Sequence, residues 1–153
     1  MPSLETKVPP PVVAVLAAAA MWLLSLTLPR VPLAASSRIT TAIVIAMLGV
    51  AFSVAGVVSL RRAKTTVNPV RPEKAWSLVT SGIYRVTRNP MYVGLLLLLL
   101  AWAVFLSSPV ALAGPAAFIV YIDRFQIQPE ERALSVLFGS AYVAYKRRVR
   151  RWL

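Results

Sequence analysis

The sequence contains no cysteine and no histidine. The absence of cysteine excludes disulfides, thiolate metal ligands and a cysteine nucleophile. The absence of histidine removes the commonest zinc ligand and the side chain that most often acts as a general base near neutral pH. Any chemistry must therefore use carboxylates, tyrosines, arginines, a bound cofactor or the reactivity of the substrate itself, and no metal site is expected.

Acidic residues are also scarce, with five Asp and Glu against seventeen Lys and Arg, which gives a net charge of +12. In a soluble protein this excess would suggest nucleic acid as a partner. Here the basic residues lie between and after long apolar runs, so we expect anionic lipid headgroups as partners and no nucleic acid.

Apolar residues make up 58% of the 153 residues, more than the roughly 45–50% of ordinary soluble domains. We expect one all-α domain over residues 1–153, a polytopic membrane helical bundle of about four transmembrane helices. The first segment is expected to remain as a helix rather than to be a signal peptide, because Lys7 is the only basic residue before it. The four apolar segments are 11–28, 39–60, 91–106 and 110–122.

The distribution of basic residues predicts the topology. Arg30 and Arg38 lie between the first two segments, whereas the other fifteen basic residues lie before the first segment, in 61–90 or in 123–153. We therefore expect both termini and both polar segments to face the cytoplasm. Ser107–Pro109 should form the turn of a short helical hairpin whose return arm is kinked at Gly114-Pro115.

Two further patterns concern packing. Small residues at Ala46, Gly49, Ser53 and Gly56 would let another helix approach closely, either within the chain or in a homodimer, although small residues are common in membrane helices. Apolar residues recur at helical spacing along the tail from Leu134 to Trp152, and a basic cluster lies near its end. That pattern predicts an amphipathic helix at the membrane interface, with a bend or close contact at Gly139.

Two polar patches are candidates for chemistry. Glu130 and Glu131 follow Pro129, where acids can offset a helix dipole, but a carboxylate at the membrane boundary can also receive a cationic ligand. In the segment 78–92, Asn89 and Pro90 read as the cap and first residue of a helix, and its tyrosines as an interfacial aromatic belt. Because both patches are expected on the same side of the membrane, a shared site is the alternative.

These segments resemble a known family. The stretch LVTSGIYRVTRNPMYVG, a hydrophobic hairpin, then PEERAL and FGSAYVAYKRRV is similar to the isoprenylcysteine carboxyl methyltransferase and phospholipid methyltransferase superfamily. The motif of that family is Arg-His-Pro-x-Tyr, a hydrophobic stretch and Glu-Glu. The resemblance covers residues 64–151, which would form a cofactor-binding core, whereas the two spans in 11–60 resemble the family only in being hydrophobic.

The resemblance implies S-adenosyl-L-methionine as the cofactor, bound at the cytoplasmic side. Asn89 stands where the family has histidine. Gln126 stands where prenylcysteine methyltransferases place a substrate-contacting arginine, with Arg124 two residues away. By matching motif positions, the cofactor-binding residues implied are Trp76, Leu78, Val79, Tyr84, Asn89, Pro90, Met91, Tyr92, Glu130 and Glu131, and the catalytic ones are Glu130, Arg124 and Gln126.

Methyl transfer agrees with the absence of histidine, because the sulfonium cofactor carries the difficult chemistry and the protein need only position the two reactants. The expected function is therefore a membrane methyltransferase acting on a lipophilic or small acceptor, such as an isoprenylcysteine carboxylate, a phospholipid amine or a thiol. The alternative is a non-catalytic basic membrane protein that binds anionic lipid or a partner protein. A relative of the sterol reductases is a third interpretation, but no ribose-phosphate clamp is recognisable.

Overall fold

The computed structural model describes residues 7–27, 30–63 and 77–153. Every regular element among these residues is helical, which confirms the all-α class. Short 3-10 turns at Gly82–Arg85 and Pro109–Leu112 and a π-helical turn at Asp123–Ile127 separate the longer elements. The α-helices are α1 (Pro10–Ser25), α2 (Ala35–Arg62), α3 (Pro90–Leu106), α4 (Ala113–Ile122) and α5 (Gln128–Arg148).

Two helical stretches, rather than four, are both long and apolar enough to cross a membrane within the described part of the chain. These are α2, with 28 residues, and the nearly continuous helical stretch Pro109–Arg148, with 40 residues. α1 and α3 have 16 and 17 residues, and at 1.5 Å per residue each is only about 25 Å long, less than the roughly 30 Å of a bilayer core. Each of the four apolar segments contains a helix, but the expectation of about four transmembrane helices is confirmed for two helical stretches only.

Large apolar side chains cover the outer surfaces of α1 and α2. Val15 and Leu16 on α1 and Met47 and Val54 on α2 are all more than half exposed. Soluble monomers rarely expose contiguous apolar surface on this scale. Lipid chains in contact with these two helices would shield their apolar side chains from water.

α2 and α3 pack closely through small residues. A Cβ atom added at Gly49 would lie 2.8 Å from the carbonyl oxygen of Gly94, and one at Gly56 would lie 3.0 Å from Cγ of Met91. The close-packing face predicted on α2 is therefore occupied by α3 of the same chain. A homodimer stays a prediction, but this face is not the interface that would form it.

The turn after α3 has the predicted position. Ser107 ends the helix in the left-handed conformation with φ 52°, and Pro109 starts the 3-10 turn that leads into α4. Gly114 and Pro115 lie in the first turn of α4, directly after the 3-10 turn, where a missing proline N–H breaks no helical hydrogen bond, and a kink at this pair stays a prediction. Gly114 gives room to Met21, which is fully buried.

The chain stays helical from α4 through the π-helical turn into α5. The predicted interruption at Gly139 is confirmed, with φ 50° and ψ −126°. Part of the periodic apolar face of α5 does not point outward, since Tyr142 and Tyr145 are buried with Leu134 and Phe138 against Val79 and Tyr84. The periodicity therefore reflects packing within the chain, and a position at the membrane interface is not confirmed.

The two polar segments lie at the same end of the bundle. The backbone N–H of Arg88 donates to the carbonyl of Arg150, and the amide of Gln126 donates to the carbonyl of Val8 near the start of α1. At the opposite end, the N–H of Val31 donates to the carbonyl of Ser107. This arrangement agrees with the predicted grouping of termini and polar segments, and the side of the membrane they face stays a prediction.

Candidate functional site

The candidate site lies where the start of α3 meets the start of α5. Tyr92, in the first turn of α3, donates its phenolic hydrogen to Oε1 of Glu130. Tyr92 is only 4% exposed and Glu130 is partly buried. Pro90 fixes the beginning of α3, so that the phenol faces α5 rather than solvent.

Glu130 has no cationic neighbour within ion-pairing distance among the described residues. The hydroxyl of Tyr92 is the one hydrogen-bond donor to this carboxylate in the described part of the chain. A carboxylate withdrawn from water normally requires a positive partner or several donors. Glu130 is therefore a carboxyl group that could receive a cation and that has no cationic partner among the described residues.

Glu131, although adjacent, has a different environment. Its carboxylate accepts hydrogen bonds from Nε and Nη2 of Arg151 at 3.0 and 2.8 Å, and Nη1 of Arg88 lies 3.0 Å from Oε1. Nη1 of Arg151 also donates to Oδ1 of Asp123 at 2.8 Å. The hydrogen bonds to Glu131 raise the pKa of Arg151, so this guanidinium stays charged. Glu131 is thus neutralised within the protein.

The helix dipole does not account for the two acids. The backbone is helical on both sides of Gln128, where the π-helical turn passes directly into α5. α5 therefore has no free N-terminal turn whose partial positive charge Glu130 and Glu131 would offset.

The C-terminal residues complete the wall beside this pair. The side-chain amide of Asn89 donates to the carbonyl oxygen of Arg151 at 2.7 Å, and the hydroxyl of Thr87 donates to the same oxygen at 3.2 Å. Asn89 occupies the predicted cap position of α3, but its side chain makes no capping hydrogen bond. It fixes the C-terminal segment instead.

A cluster of aromatic side chains lies next to the acids. The hydroxyl of Tyr145 donates to the carbonyl oxygen of Tyr84 at 2.7 Å, and Val79 and Leu78 belong to the same apolar cluster. Burial, together with nearby Tyr145 and Glu130, raises the pKa of Tyr84, so its phenol stays neutral near pH 7. This cluster can supply an apolar, aromatic wall.

The structure thus brings some predicted site residues together and separates others. Tyr92 and Glu130 are in contact, with Tyr84 and Val79 nearby. Met91 packs against α2 at Gly56, and Trp76 lies outside the described residues. The roles assigned to all of these residues stay predictions.

Gln126 and Arg124 both lie on the π-helical turn, but the side chain of Gln126 is buried and that of Arg124 is exposed. Gln126 is fully buried and its amide donates to the carbonyl of Val8 at 2.7 Å, whereas Oε1 has no partner among the described residues. Arg124 is exposed, with its guanidinium carbon 5.9 Å from the centroid of the Phe125 ring. Arg124 therefore does not take the buried position of Gln126.

Sequence reasoning did not identify Arg88, Asp123 and Arg151 as site residues. Arg88 directly precedes Asn89-Pro90, at the arginine position of the Arg-His-Pro-x-Tyr motif. The scarcity of acids was also a signal, because three of the five lie at Asp123, Glu130 and Glu131. In a chain of this composition an arginine partner is expected for an acid, and Asp123 and Glu131 have one, whereas Glu130 has none among the described residues.

Comparison with known proteins identifies relatives of this chain. An uncharacterized protein of Haemophilus influenzae is 49% identical over 63 residues, which are 41% of this chain and all of that protein. Protein-S-isoprenylcysteine O-methyltransferase B of Arabidopsis thaliana is 33% identical over 106 residues, covering 67% of this chain and 52% of the plant protein. The human protein-S-isoprenylcysteine O-methyltransferase is 36% identical over 73 residues, 48% of this chain and 26% of the human protein.

The chain therefore spans about half the length of the plant relative and about a quarter of the human one. No solved structure matches it. Residues 37–141 match the family model described as phospholipid methyltransferase, and this match includes nearly all of α2, the whole of α3 and α4, the Tyr92–Glu130 pair and more than half of α5. Because the match extends over well over half of the 153 residues, the resemblance read from the motifs is confirmed and the chain belongs to the phospholipid methyltransferase family.

Proposed function

We propose that this chain is a membrane methyltransferase that uses S-adenosyl-L-methionine to methylate a lipophilic or small acceptor. The observation that carries the proposal is the partly buried Glu130 carboxylate, held by Tyr92 and without a cationic neighbour among the described residues. A carboxyl group in this position is complementary to a cationic ligand, which would favour its ionised form. Membership of a family of methyltransferases and the names of the relatives agree with it.

The side chains at the candidate site fit the chemical groups of the cofactor. When bound, the cofactor supplies an electrophilic methyl group on a positively charged sulfur, and it also carries an ammonium group. Glu130 offers the negative charge, and Tyr92 holds that carboxylate in one orientation. The aromatic and apolar side chains of Tyr84, Val79 and Leu78 would take the less polar part of the ligand.

The different environments of the two glutamates support cofactor binding by Glu130. Glu131 is neutralised by Arg88 and Arg151, so Glu130 is the member of the pair left to receive a cation. No described residue needs to move a proton to activate a carboxylate or thiolate acceptor that is already ionised, and positioning alone can contribute about 7–11 kcal/mol to such a reaction. This explains how the chain can act without histidine.

We propose a class of methyl acceptor rather than a single compound. A lipophilic acceptor would approach from the bilayer, whereas a soluble cofactor would enter at the polar end beside Tyr84 and Glu130. The isoprenylcysteine methyltransferase relatives favour a carboxylate, and the family name favours a phospholipid amine. A small thiol is the third possibility.

The first test is cofactor binding to detergent-purified protein by isothermal titration calorimetry. Glu130→Gln should weaken binding at least about tenfold, because a hydrogen bond or ion pair to a charged group is worth about 1.5–3 kcal/mol. Tyr92→Phe should weaken it by a smaller factor. Tyr121→Phe, the same change at a tyrosine whose hydroxyl has no hydrogen bond among the described residues, is the matched control. No binding by the wild-type protein, or equal binding by all variants, would contradict the proposal.

The second test identifies the acceptor. Transfer of a radiolabelled methyl group is measured with a prenylcysteine analogue, phosphatidylethanolamine and a simple thiol, each with wild-type protein and with Glu130→Gln. We expect label in one acceptor class, and loss of that label in the variant. Cofactor binding without transfer to any of the three would leave the chain a binding protein and refute this acceptor range.

A further inference from the structure

A cavity of about 260 Å³ lies beside the aromatic cluster, between the 3-10 turn Gly82–Arg85 and the end of α5. It is lined by Thr80, Arg85, Tyr145, Arg148 and Val149. Neither Glu130 nor Glu131 lines it. Of its lining residues only Tyr145 belongs to the aromatic cluster beside the acids, and the proposed methyl transfer uses neither Thr80 nor the two arginines.

Two guanidinium groups line this cavity, and no acid among the described residues compensates them. Arg85 and Arg148 are exposed, and neither forms an ion pair with an acidic residue in the described part of the chain. The acids of the α5 region are otherwise occupied, since Asp123 and Glu131 bind Arg151 and Glu130 accepts from Tyr92. Like charges that share one cavity repel each other unless an anion lies between them.

The fold itself brings the two arginines together. Arg85 directly follows Tyr84, whose carbonyl accepts the hydroxyl of Tyr145, and Arg148 lies one turn after Tyr145. The phenol hydrogen of Tyr145 is used in that bond, so its ring and Val149 supply apolar walls. The hydroxyl of Thr80 is a further donor to the cavity. Arginine forks with a hydroxyl donor are the groups that bind phosphate oxygens best.

We propose that this cavity binds a phosphate ester, either the headgroup phosphate of an anionic phospholipid or that of a small soluble molecule. The cavity is smaller than the roughly 300–1,000 Å³ of typical small-molecule sites, so it would hold a headgroup rather than a whole lipid. It lies at the polar end of the bundle, where the last turn of α5 carries Lys146, Arg147 and Arg148. A phosphate bound here would offset the charge of this end.

The test is native mass spectrometry of the detergent-purified full chain with three probes: dioctanoylphosphatidylglycerol, glycerol 3-phosphate and dioctanoylglycerol, which lacks phosphate. We expect one or both phosphate probes to bind and dioctanoylglycerol not to. Arg85→Gln and Arg148→Gln should each weaken binding at least about tenfold, because each removes a charge-assisted bidentate contact. Binding of the lipid alone identifies a membrane source, and equal binding of glycerol 3-phosphate identifies a soluble one.

Arg147→Gln is the matched control, since it removes the same charge from the neighbouring position without lining the cavity. It should change the affinity by less than about threefold. Equal loss in Arg147→Gln, binding of dioctanoylglycerol as tight as that of the phosphate probes, or no binding of either phosphate would overturn the proposal. Displacement of the probe by S-adenosyl-L-methionine would also overturn it. Glu130→Gln should leave probe binding unchanged, so this site and the methyl-transfer proposal fail independently.

Discussion

Exchanging each of the two adjacent glutamates for glutamine should separate a structural carboxylate from a ligand-binding one. Glu131→Gln removes the anion that Arg88 and Arg151 share, whereas Glu130→Gln removes a charge that has no cationic neighbour among the described residues. Both changes have the same size and the same chemistry, and they lie one residue apart. Any difference between them therefore reports the environment of each side chain.

The loss of stability expected for Glu131→Gln follows from the solvent exposure of the side chains in its ion-pair network. The side chains of Arg88 and Glu131 are 11% and 15% exposed, so Glu131→Gln leaves Arg88 nearly buried without its counter-ion. Breaking a fully buried pair costs about 3–5 kcal/mol. Arg151 is 34% exposed and keeps its bond to Asp123, which lowers the cost by solvent screening. We expect the free energy of unfolding to fall by about 2–4 kcal/mol.

Glu130→Gln should change the free energy of unfolding by less than about 1 kcal/mol. The amide oxygen can still accept the hydroxyl of Tyr92, and the variant no longer withdraws an unpaired charge from water. Its effect should instead be the loss of cofactor affinity described above. We thus expect Glu131→Gln to lower the free energy of unfolding and Glu130→Gln to lower the affinity for the cofactor.

The assay is thermal unfolding in detergent, followed by tryptophan fluorescence, with cofactor titration of each variant below its midpoint. A loss of 2–4 kcal/mol corresponds to a fall of about 4–16 °C in Tm for a domain of this size. Equal midpoints for the two variants, or a larger fall for Glu130→Gln, would refute the assignment of Glu131 to the structural network. Loss of cofactor binding in a stable Glu131→Gln variant would refute the assignment of ligand binding to Glu130.

Three further changes test the packing around the site by the same unfolding assay. Asn89→Ala removes the hydrogen bond to the carbonyl of Arg151 and should cost about 1 kcal/mol, and an unchanged Tm would show that this bond does not fix the C-terminal segment. Gly94→Ala places a Cβ 2.6 Å from the carbonyl oxygen of Gly49 and should cost about 1–3 kcal/mol or more, whereas a neutral effect would contradict the close approach of α2 and α3. Gly139→Ala meets no atom within 4 Å, so its cost of about 1–2 kcal/mol should come from the positive φ alone, and a stabilised variant would mean that the helix straightens there.

The amino-acid sequence alone determined the class, the approximate helices and the family. Apolar runs too long for a soluble core indicated α2 and the helical hairpin, Asn89-Pro90 marked the start of α3, and the order of the motifs indicated the methyltransferase superfamily, which the family match confirmed. These features are local or follow from order along the chain. Hydrophobicity, proline geometry and motif spacing act over a few residues, so they can be read without knowing the path of the chain.

Only the tertiary structure decided which side chains meet. Adjacent in sequence and identical in type, Glu130 and Glu131 differ because one faces Tyr92 on α3 and the other faces Arg88 and the C-terminal Arg151. The small residues of α2 were compatible with a dimer until α3 was found against them, and the periodic face of α5 proved to pack partly on the chain itself. These contacts join residues tens of positions apart, and their distances depend on how the helices pack, which no local pattern encodes.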